Sequence, residues 1–343
     1  MTDSTRDRKI EHIRIIELDQ DVDRQQFYFD QIRLIHRALP EINFNEIDPS
    51  IEFVGKRLKF PLLISSMTGG DHEVNRIVNR NLAIAAEATG VAMGVGSQRV
   101  MFSHPESRDS FALRSQAPST LLFANLGAVQ LNTGFGIDEC RAAVETVGAD
   151  GLYLHLNPLQ EAVQPEGDTN FAGLSDRIRM VADKLDVPVL IKEVGAGISL
   201  ADAQLIRDAG VHYIDVAGSG GLSWSRIENH RRRAQSPDNL GLVFQDWGIP
   251  TPTALQVLAP LRPAITLIAS GGIRTGMDMA KALVLGATAC GLASPFLRPA
   301  MDSPEAVIAQ IERLQREFCT ALFLLGAHSS GDIIGNSELL LHP

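Results

Sequence analysis

Gly151-Leu-Tyr-Leu-His-Leu-Asn157 runs directly into Pro158-Leu-Gln-Glu161, and a longer stretch then leads to Val187-Pro-Val-Leu-Ile-Lys192. A short apolar run, a longer amphipathic one and a second short run form a strand–helix–strand unit. In the first run, period-two geometry puts Leu152, Leu154 and Leu156 on one face and Tyr153, His155 and Asn157 on the other. The leucines suit packing against helices, so His155 and Asn157 are expected on the inner side of the sheet.

The same unit recurs in both directions. Pro61–Ser66, Val91–Gly96 and Thr120–Asn125 precede it, and Tyr213–Ala217, Ile265–Ser270 and Ala289–Ala293 follow. All eight runs are of strand length and rich in Val, Ile, Leu, Phe or Ala, the composition of parallel strands buried on both faces. Eight units in succession predict an α/β fold, a (β/α)8 TIM barrel, rather than an open sheet. A doubly wound sheet would normally carry G-x-G-x-x-G after its first strand, and none follows here. Thr275-Gly-Met-Asp278 is a capping-box-like helix start, and Ser303-Pro304-Glu305 joins an N-cap to Pro at the first helical position. In the last helix Val307, Ile311, Leu314, Phe318, Ala321 and Leu325 make one apolar stripe.

Two segments break the repeat: residues 1–59, expected to be an N-terminal arm packed on a barrel of residues 60–343, and residues 218–250. The second segment, polar and rich in Gly and Arg, is expected as a long loop between strands six and seven. Such loops usually shape the active face of a barrel.

Composition narrows the functional classes. The chain has 343 residues, 45% of them hydrophobic and 21% charged, the balance of a folded soluble protein. Its 31 Lys and Arg against 41 Asp and Glu give a net charge of −10, which argues against a nucleic-acid partner. An anionic ligand must then be held by a local basic cluster or by backbone N–H groups. Cys140, Cys290 and Cys319 are too few and too scattered for a disulfide framework or a metal knuckle, which suits a reducing compartment. No apolar run approaches the roughly 20 residues of a membrane helix, and no signal-like stretch opens the sequence. A cytoplasmic protein without membrane insertion is expected.

Barrel active sites lie at the C-terminal ends of the strands, and here those ends are polar. The first runs into Ser65-Ser66-Met67-Thr68-Gly69-Gly70, the second into Gly96-Ser97-Gln98-Arg99, the third into Asn125. The fourth brings Gln160 and Glu161 to the mouth beside His155 and Asn157. One carboxylate among neutral donors is a poor zinc site but suits Mg²⁺ shared with a phosphate. Lys192, ending the fifth strand, is either a solvated loop residue or a cation aimed at a ligand. The seventh gives Ser270-Gly271-Gly272-Ile273-Arg274, where paired glycines let backbone N–H groups approach a phosphate at a helix start. The eighth adds Ala293 and Ser294. Near the N-terminus Arg6, Arg8, Lys9, His12 and Arg14 form either a solvated face or an arm that grips a diphosphate.

Taken in order, these motifs resemble the type 2, flavin-dependent isopentenyl-diphosphate isomerases. The matching strings are Arg8-Lys-Ile-Glu-His12, Ser66-Met-Thr-Gly-Gly70, Gly96-Ser-Gln-Arg99, Asn125, His155-Leu-Asn-Pro-Leu-Gln-Glu161, Lys192-Glu-Val-Gly195, Gly220-Gly221 with Ser223-Trp224, and Gly271-Gly-Ile-Arg274. They span almost the whole chain. The resemblance implies FMN held by Ser66, Met67, Thr68, Ser97, Asn125, Lys192 and Ser223, with its phosphate at Gly271, Gly272, Ile273, Arg274, Ala293 and Ser294. It implies substrate binding by Arg8, Lys9, Ser97, Gln98, Arg99 and Gln160, and Mg²⁺ on Glu161. Gln160, His155, Asn157 and Lys192 are the catalytic candidates. The implied reaction is a 1,3-allylic proton shift between isopentenyl and dimethylallyl diphosphate. Reduced FMN would act as an acid–base group, Lys192 would stabilise its anionic form, and NAD(P)H would serve only to reduce it. A homo-oligomer, tetramer or octamer, is implied as well. Leu222 departs from the family, which carries Thr there, so one hydroxyl contact to the flavin is absent. The competing enzyme reading, an FMN-dependent 2-hydroxy-acid oxidoreductase, needs a His-x-x-Arg-type pair late in the chain, and only Arg274 is available. A non-enzymatic phospholigand-binding barrel would leave Lys192, His155 and Glu161 without a task.

Overall fold

Two strands precede the barrel, β1 (Ile51–Phe53) and β2 (Lys56–Leu58), paired as an antiparallel hairpin. The eight apolar runs become β3 (Leu62–Ile64), β4 (Ala92–Gly94), β5 (Leu122–Gly127), β6 (Gly151–Leu156), β7 (Val189–Glu193), β8 (Tyr213–Asp215), β9 (Thr266–Ser270) and β10 (Ala289–Leu292). They are parallel and close into a barrel, with β10 pairing back onto β3. The computed structural model describes residues 11–12, 14–24, 28–67, 72–232 and 238–341. No helix among them is long and apolar enough to cross a membrane.

Alternation along the strands sorts the core into two layers. Leu152 and Leu154 join Ile191, Ile214 and Leu267 in the outer layer against the helices. Tyr153 joins Phe123, Leu190, Ile268 and Ala289 in the inner layer. The hairpin closes the bottom of that inner layer. Phe53 is 2% exposed and makes edge-on ring contacts with Phe123 and Tyr213, 6.1 Å between centroids in each case. Strand register places His155, Lys192 and Asp215 side by side across β6, β7 and β8.

The helix signals act as their chemistry dictates. Thr275 and Asp278 form a reciprocal capping box, and Ser303 caps the helix that starts at Pro304. The stripe of that last helix uses Leu322 as its buried residue where Ala321 was expected, Ala321 being only partly covered.

The two segments outside the repeat meet one another. The 218–250 stretch is not only loop, because Trp224–Arg232 and Leu240–Val243 are helical. Residues 19–24 lie along it. Asp23 bridges Leu222, Ser223 N donates to Val22 O at 2.8 Å, and Arg24 N donates to Gly221 O at 3.2 Å. Arg226 and His230 both reach the Asp19 carboxylate at 2.7 Å. Ile15, Val22 and Ile227 seal the seam with a small apolar cluster. The segment expected as one arm therefore serves both ends: His12 and residues 14–24 lie at the mouth, while 51–58 plug the bottom.

Candidate active site

A cavity of about 680 Å³ opens at the C-terminal ends of the strands, within the range of cofactor and substrate pockets. Ser65, Ser66 and Met67 line it after β3, Ser97 and Arg99 after β4, and Asn125 and His155 from within β5 and β6. Asn157, Gln160 and Glu161 contribute from the start of the short helix Pro158–Val163, and Lys192 from β7. Gly271, Gly272, Ile273 and Arg274 line the far side beside Ala293 and Ser294. Arg8, Lys9 and Thr68 lie outside the described residues.

One amide chain fixes the histidine. Asn125 Nδ2 donates to Val95 O at 3.1 Å, which turns its Oδ1 towards His155 Nδ1 at 2.8 Å. An amide oxygen only accepts, so Nδ1 carries the proton. Gln98 stands behind Asn125 rather than in the cavity. Its Oε1 accepts from Asn125 N at 3.0 Å and its Nε2 donates to Ala143 O at 2.9 Å, leaving the side chain fully buried. Gln98, expected to bind substrate, turns its side chain away from the cavity. It holds the strand end that orients Asn125.

Gln160 is held from two sides. Its Oε1 accepts from Asn157 Nδ2 at 3.2 Å, and its Nε2 donates to Glu228 Oε1 at 2.8 Å. Glu228, on helix Trp224–Arg232, also lies 3.1 Å from His12 Nε2 and 2.6 Å from Arg231 Nη1. Burial alone would raise its carboxyl. The hydrogen bond and charge of His12, the charge of Arg231 and the Gln160 amide outweigh that and hold it at about 2. Sequence reasoning missed Glu228 because one carboxylate in an Arg-rich stretch reads as a solvated face. Its available signal was the i, i+3 spacing to Arg231.

The neighbouring carboxylate of Glu161 accepts from Asn157 Nδ2 at 2.8 Å, from Asp168 N at 2.7 Å and from Gln164 Nε2. Asp168 in turn pairs with Arg99 at 2.9 Å, so the cation expected to hold substrate rests on a carboxylate at the cavity wall.

Lys192 is 8% exposed, and its Nζ donates to Glu193 O at 2.7 Å. The Glu193 carboxylate turns away and accepts from three successive N–H groups, those of Val194 at 2.6 Å, Gly195 at 2.7 Å and Ala196. Burial pushes Glu193 up to about 7 against the pull of those N–H groups and of Lys192. The turn they shape receives Arg24, whose Nη1 donates to Gly195 O at 2.9 Å.

The glycine-rich side is built backbone on backbone. Gly271 and Gly272 have positive φ (94° and 79°), and a Cβ on Gly271 would meet Gly218 O at 2.1 Å. The helix start that follows differs from expectation. Asp278 already accepts from Arg274 N and Thr275 N, and Glu317 accepts from Gly276 N at 2.7 Å. The backbone facing the cavity is thus the Gly271–Ile273 turn together with Ala293 and Ser294. Arg274 extends to the Asp23 carboxylate. Ser223, expected to touch the flavin, is 1% exposed; its hydroxyl donates to Gln245 O at 2.8 Å and receives Arg226 N at 3.4 Å. It caps a helix instead. Leu222 does line the cavity and packs on the Ile15–Val22–Ile227 cluster, so an apolar side chain stands where a hydroxyl was missed.

Comparison with known proteins shows the family and the fold. Residues 159–340 match the FMN-dependent dehydrogenase family. An isopentenyl-diphosphate delta-isomerase of Paracoccus zeaxanthinifaciens is 56% identical over 97% of this chain and 96% of its own length. The protein of the same name from Hydrogenovibrio crunogenus is 51% identical over 97% of each chain. Among solved structures, a flavocytochrome b2 with sulfite bound superposes with a TM-score of 0.68 at 19% identity, over 93% of this chain and 78% of that one. A mandelate oxidase variant with a monooxide FMN adduct gives 0.61 at 18%, over 90% and 88%. At such identity these two share the barrel fold and nothing finer.

Proposed function

Because the chain belongs to the FMN-dependent, type 2 isopentenyl-diphosphate isomerases, we propose that it interconverts isopentenyl and dimethylallyl diphosphate. The observation that carries this reading is one cavity joining the Asn157–Gln160–Glu161 corner to the glycine-rich turn at Gly271. The residues present fit FMN. Ser65 Oγ and Ser66 Oγ are buried there with no hydrogen-bond partner among the described residues, and the Gly271 cradle leaves no room for a Cβ. When bound and reduced, the flavin supplies an electron-rich ring that exchanges protons beneath the double bond.

The chemistry balances as one proton on and one off. A proton adds to the terminal CH2 carbon, positive charge develops on the neighbouring tertiary carbon, and a different proton leaves the adjacent CH2. Water would quench that charge, so the seam between residues 14–24 and 221–230 serves by walling the mouth. Gln160 orients a proton at its amide rather than acting alone as a base, since an amide is not basic at ordinary pH. The tautomer fixed by Asn125 leaves His155 Nε2 as the ring's acceptor position, unless the imidazole is protonated. Lys192 supplies positive charge on the cavity floor.

Glu161 fits Mg²⁺ as one carboxylate shared with substrate phosphate oxygens and water. Arg8 and Lys9 supply further cations for that diphosphate, NAD(P)H reduces the flavin, and the protein works as a cytoplasmic homo-oligomer. The test is an absorbance spectrum for FMN followed by an anaerobic assay with isopentenyl diphosphate, Mg²⁺ and dithionite. Dimethylallyl diphosphate should form. Its absence with FMN fully reduced would refute the reading.

A further inference from the structure

We infer that Asp215 is a positioning residue beneath the flavin: its carboxylate, level with Lys192, sets how much positive charge the cavity floor presents to the reduced cofactor. The inference rests on the FMN reading above and concerns a residue to which that reading gives no task.

The placement follows from the barrel. Asp215 ends β8, its register partner on β7 is Lys192, and both side chains lie on the inner face. Lys192 lines the cavity while Asp215, at the same level of the register, is fully buried. Ser270 Oγ donates to Asp215 Oδ1, and Ala217 N lies 3.3 Å from the same oxygen. Oδ2 has no hydrogen-bond partner among the described residues, nor does the hydroxyl of Tyr153 or of Ser65. An ionised carboxylate with one unpartnered oxygen in such a place is expensive, and Lys192 donates to Glu193 O, not to Asp215. Burial raises the Asp215 carboxyl, opposed by the charge of Lys192 and the Ser270 hydroxyl.

The groups facing Asp215 are few. They are Lys192 on β7, Tyr153 on β6 and Ser270 on β9, while the Glu193 carboxylate is turned into its own turn and the Cys290 thiol of β10 points outward to Met279 O at 3.8 Å. Burial pushes the Tyr153 and Cys290 protons well out of the working range, and Asp215 adds to both shifts. Lys192 is therefore the one cation that Asp215 can offset among the described groups. Protonated, Asp215 leaves the lysine's charge uncompensated for an anionic reduced flavin; ionised, it cancels part of it.

The test compares FMN binding in both redox states across pH 5–9, by flavin absorbance and fluorescence, in the wild type and in Asp215→Asn. The ratio of Kd for oxidised over reduced FMN should match in the two proteins at low pH. At high pH it should be about tenfold larger in the variant, the equivalent of one pKa unit. Ser270→Ala removes a hydrogen bond that favours the charged form, so it should move the wild-type transition to higher pH and keep it. That second variant decides the matter if Asp215→Asn does not fold. Identical ratios at every pH, or a Ser270→Ala curve unmoved, would overturn the inference while leaving the FMN reading intact. A wild-type protein that binds no FMN would overturn both.

Discussion

Gln160 and Glu161 are adjacent in sequence, lie on the same short helix and share the Asn157 amide, but differ in their other partners: the Glu228 carboxylate for Gln160, the Gln164 amide and the Asp168 N–H for Glu161. Replacing Gln160 by Ala removes the group that links Asn157 to Glu228, and kcat should fall by roughly two to four orders of magnitude. Its Mg²⁺ midpoint should hardly move. Glu161→Gln keeps the shape and removes the charge a hard cation needs, so Mg²⁺ dependence should weaken strongly. A magnesium titration of both variants, with FMN occupancy measured first, checks the pair; a midpoint shift in Gln160→Ala alone would show the roles reversed. Most wall residues were legible because strand ends can be read off short apolar runs. Gln98 and Ser223 were not, since a motif gives residue types but not which way a side chain turns after the strand ends. Asp215 escaped notice because a single carboxylate inside Tyr-Ile-Asp-Val-Ala does not break a buried strand pattern.

Helix Trp224–Arg232 shows how an element outside the repeat reaches the chemistry. Glu228 is fully buried and Arg231 nearly so, and Arg231 also pairs with Glu11 and Glu166 at 3.0 and 2.7 Å. Glu228→Gln should cost about 3 kcal/mol, the lower end for breaking a buried pair, because Arg231 keeps two partners. Thermal denaturation should show that loss, and kcat should fall with it as the bond that anchors the Gln160 amide loses its charge. An unchanged kcat would mean the anchor has no part in turnover. The turn after β7 gives a prediction of opposite pH sense. A carboxyl raised from 4.5 to about 7 on folding disfavours its own ionisation, so its cost sets in above pH 4.5 and is complete above pH 7. It amounts to something on the order of 3 kcal/mol. Glu193→Gln should remove that slope, narrowing the difference in Tm between pH 5 and pH 8; an identical difference in both proteins would contradict the burial argument.

The described chain is a barrel plugged at the bottom and walled at the mouth by segments that do not belong to its repeat. The hairpin at Phe53 fills the bottom, and His12, Ile16 and Glu17 with Gly221, Leu222 and Trp224 wall the mouth. The repeat itself was legible because parallel strands buried on both faces must be apolar. The pairing of the two irregular segments was not, because it depends on contacts such as Asp19 with Arg226, 207 residues apart. Asp19 is held at about 2, first by its hydrogen bond to Arg226 and then by His230, against some burial. Its contribution is therefore present above pH 4 and lost as pH falls towards 2. Enclosure matters because the account's central claim is a proton shift with no net electron flow. That claim is tested most directly by proton NMR of isopentenyl diphosphate in D2O under anaerobic conditions, with the FMN absorbance followed in the same sample. Deuterium should enter the dimethylallyl product over many turnovers while the flavin stays reduced. Product without deuterium, or flavin oxidised in step with product, would contradict the account.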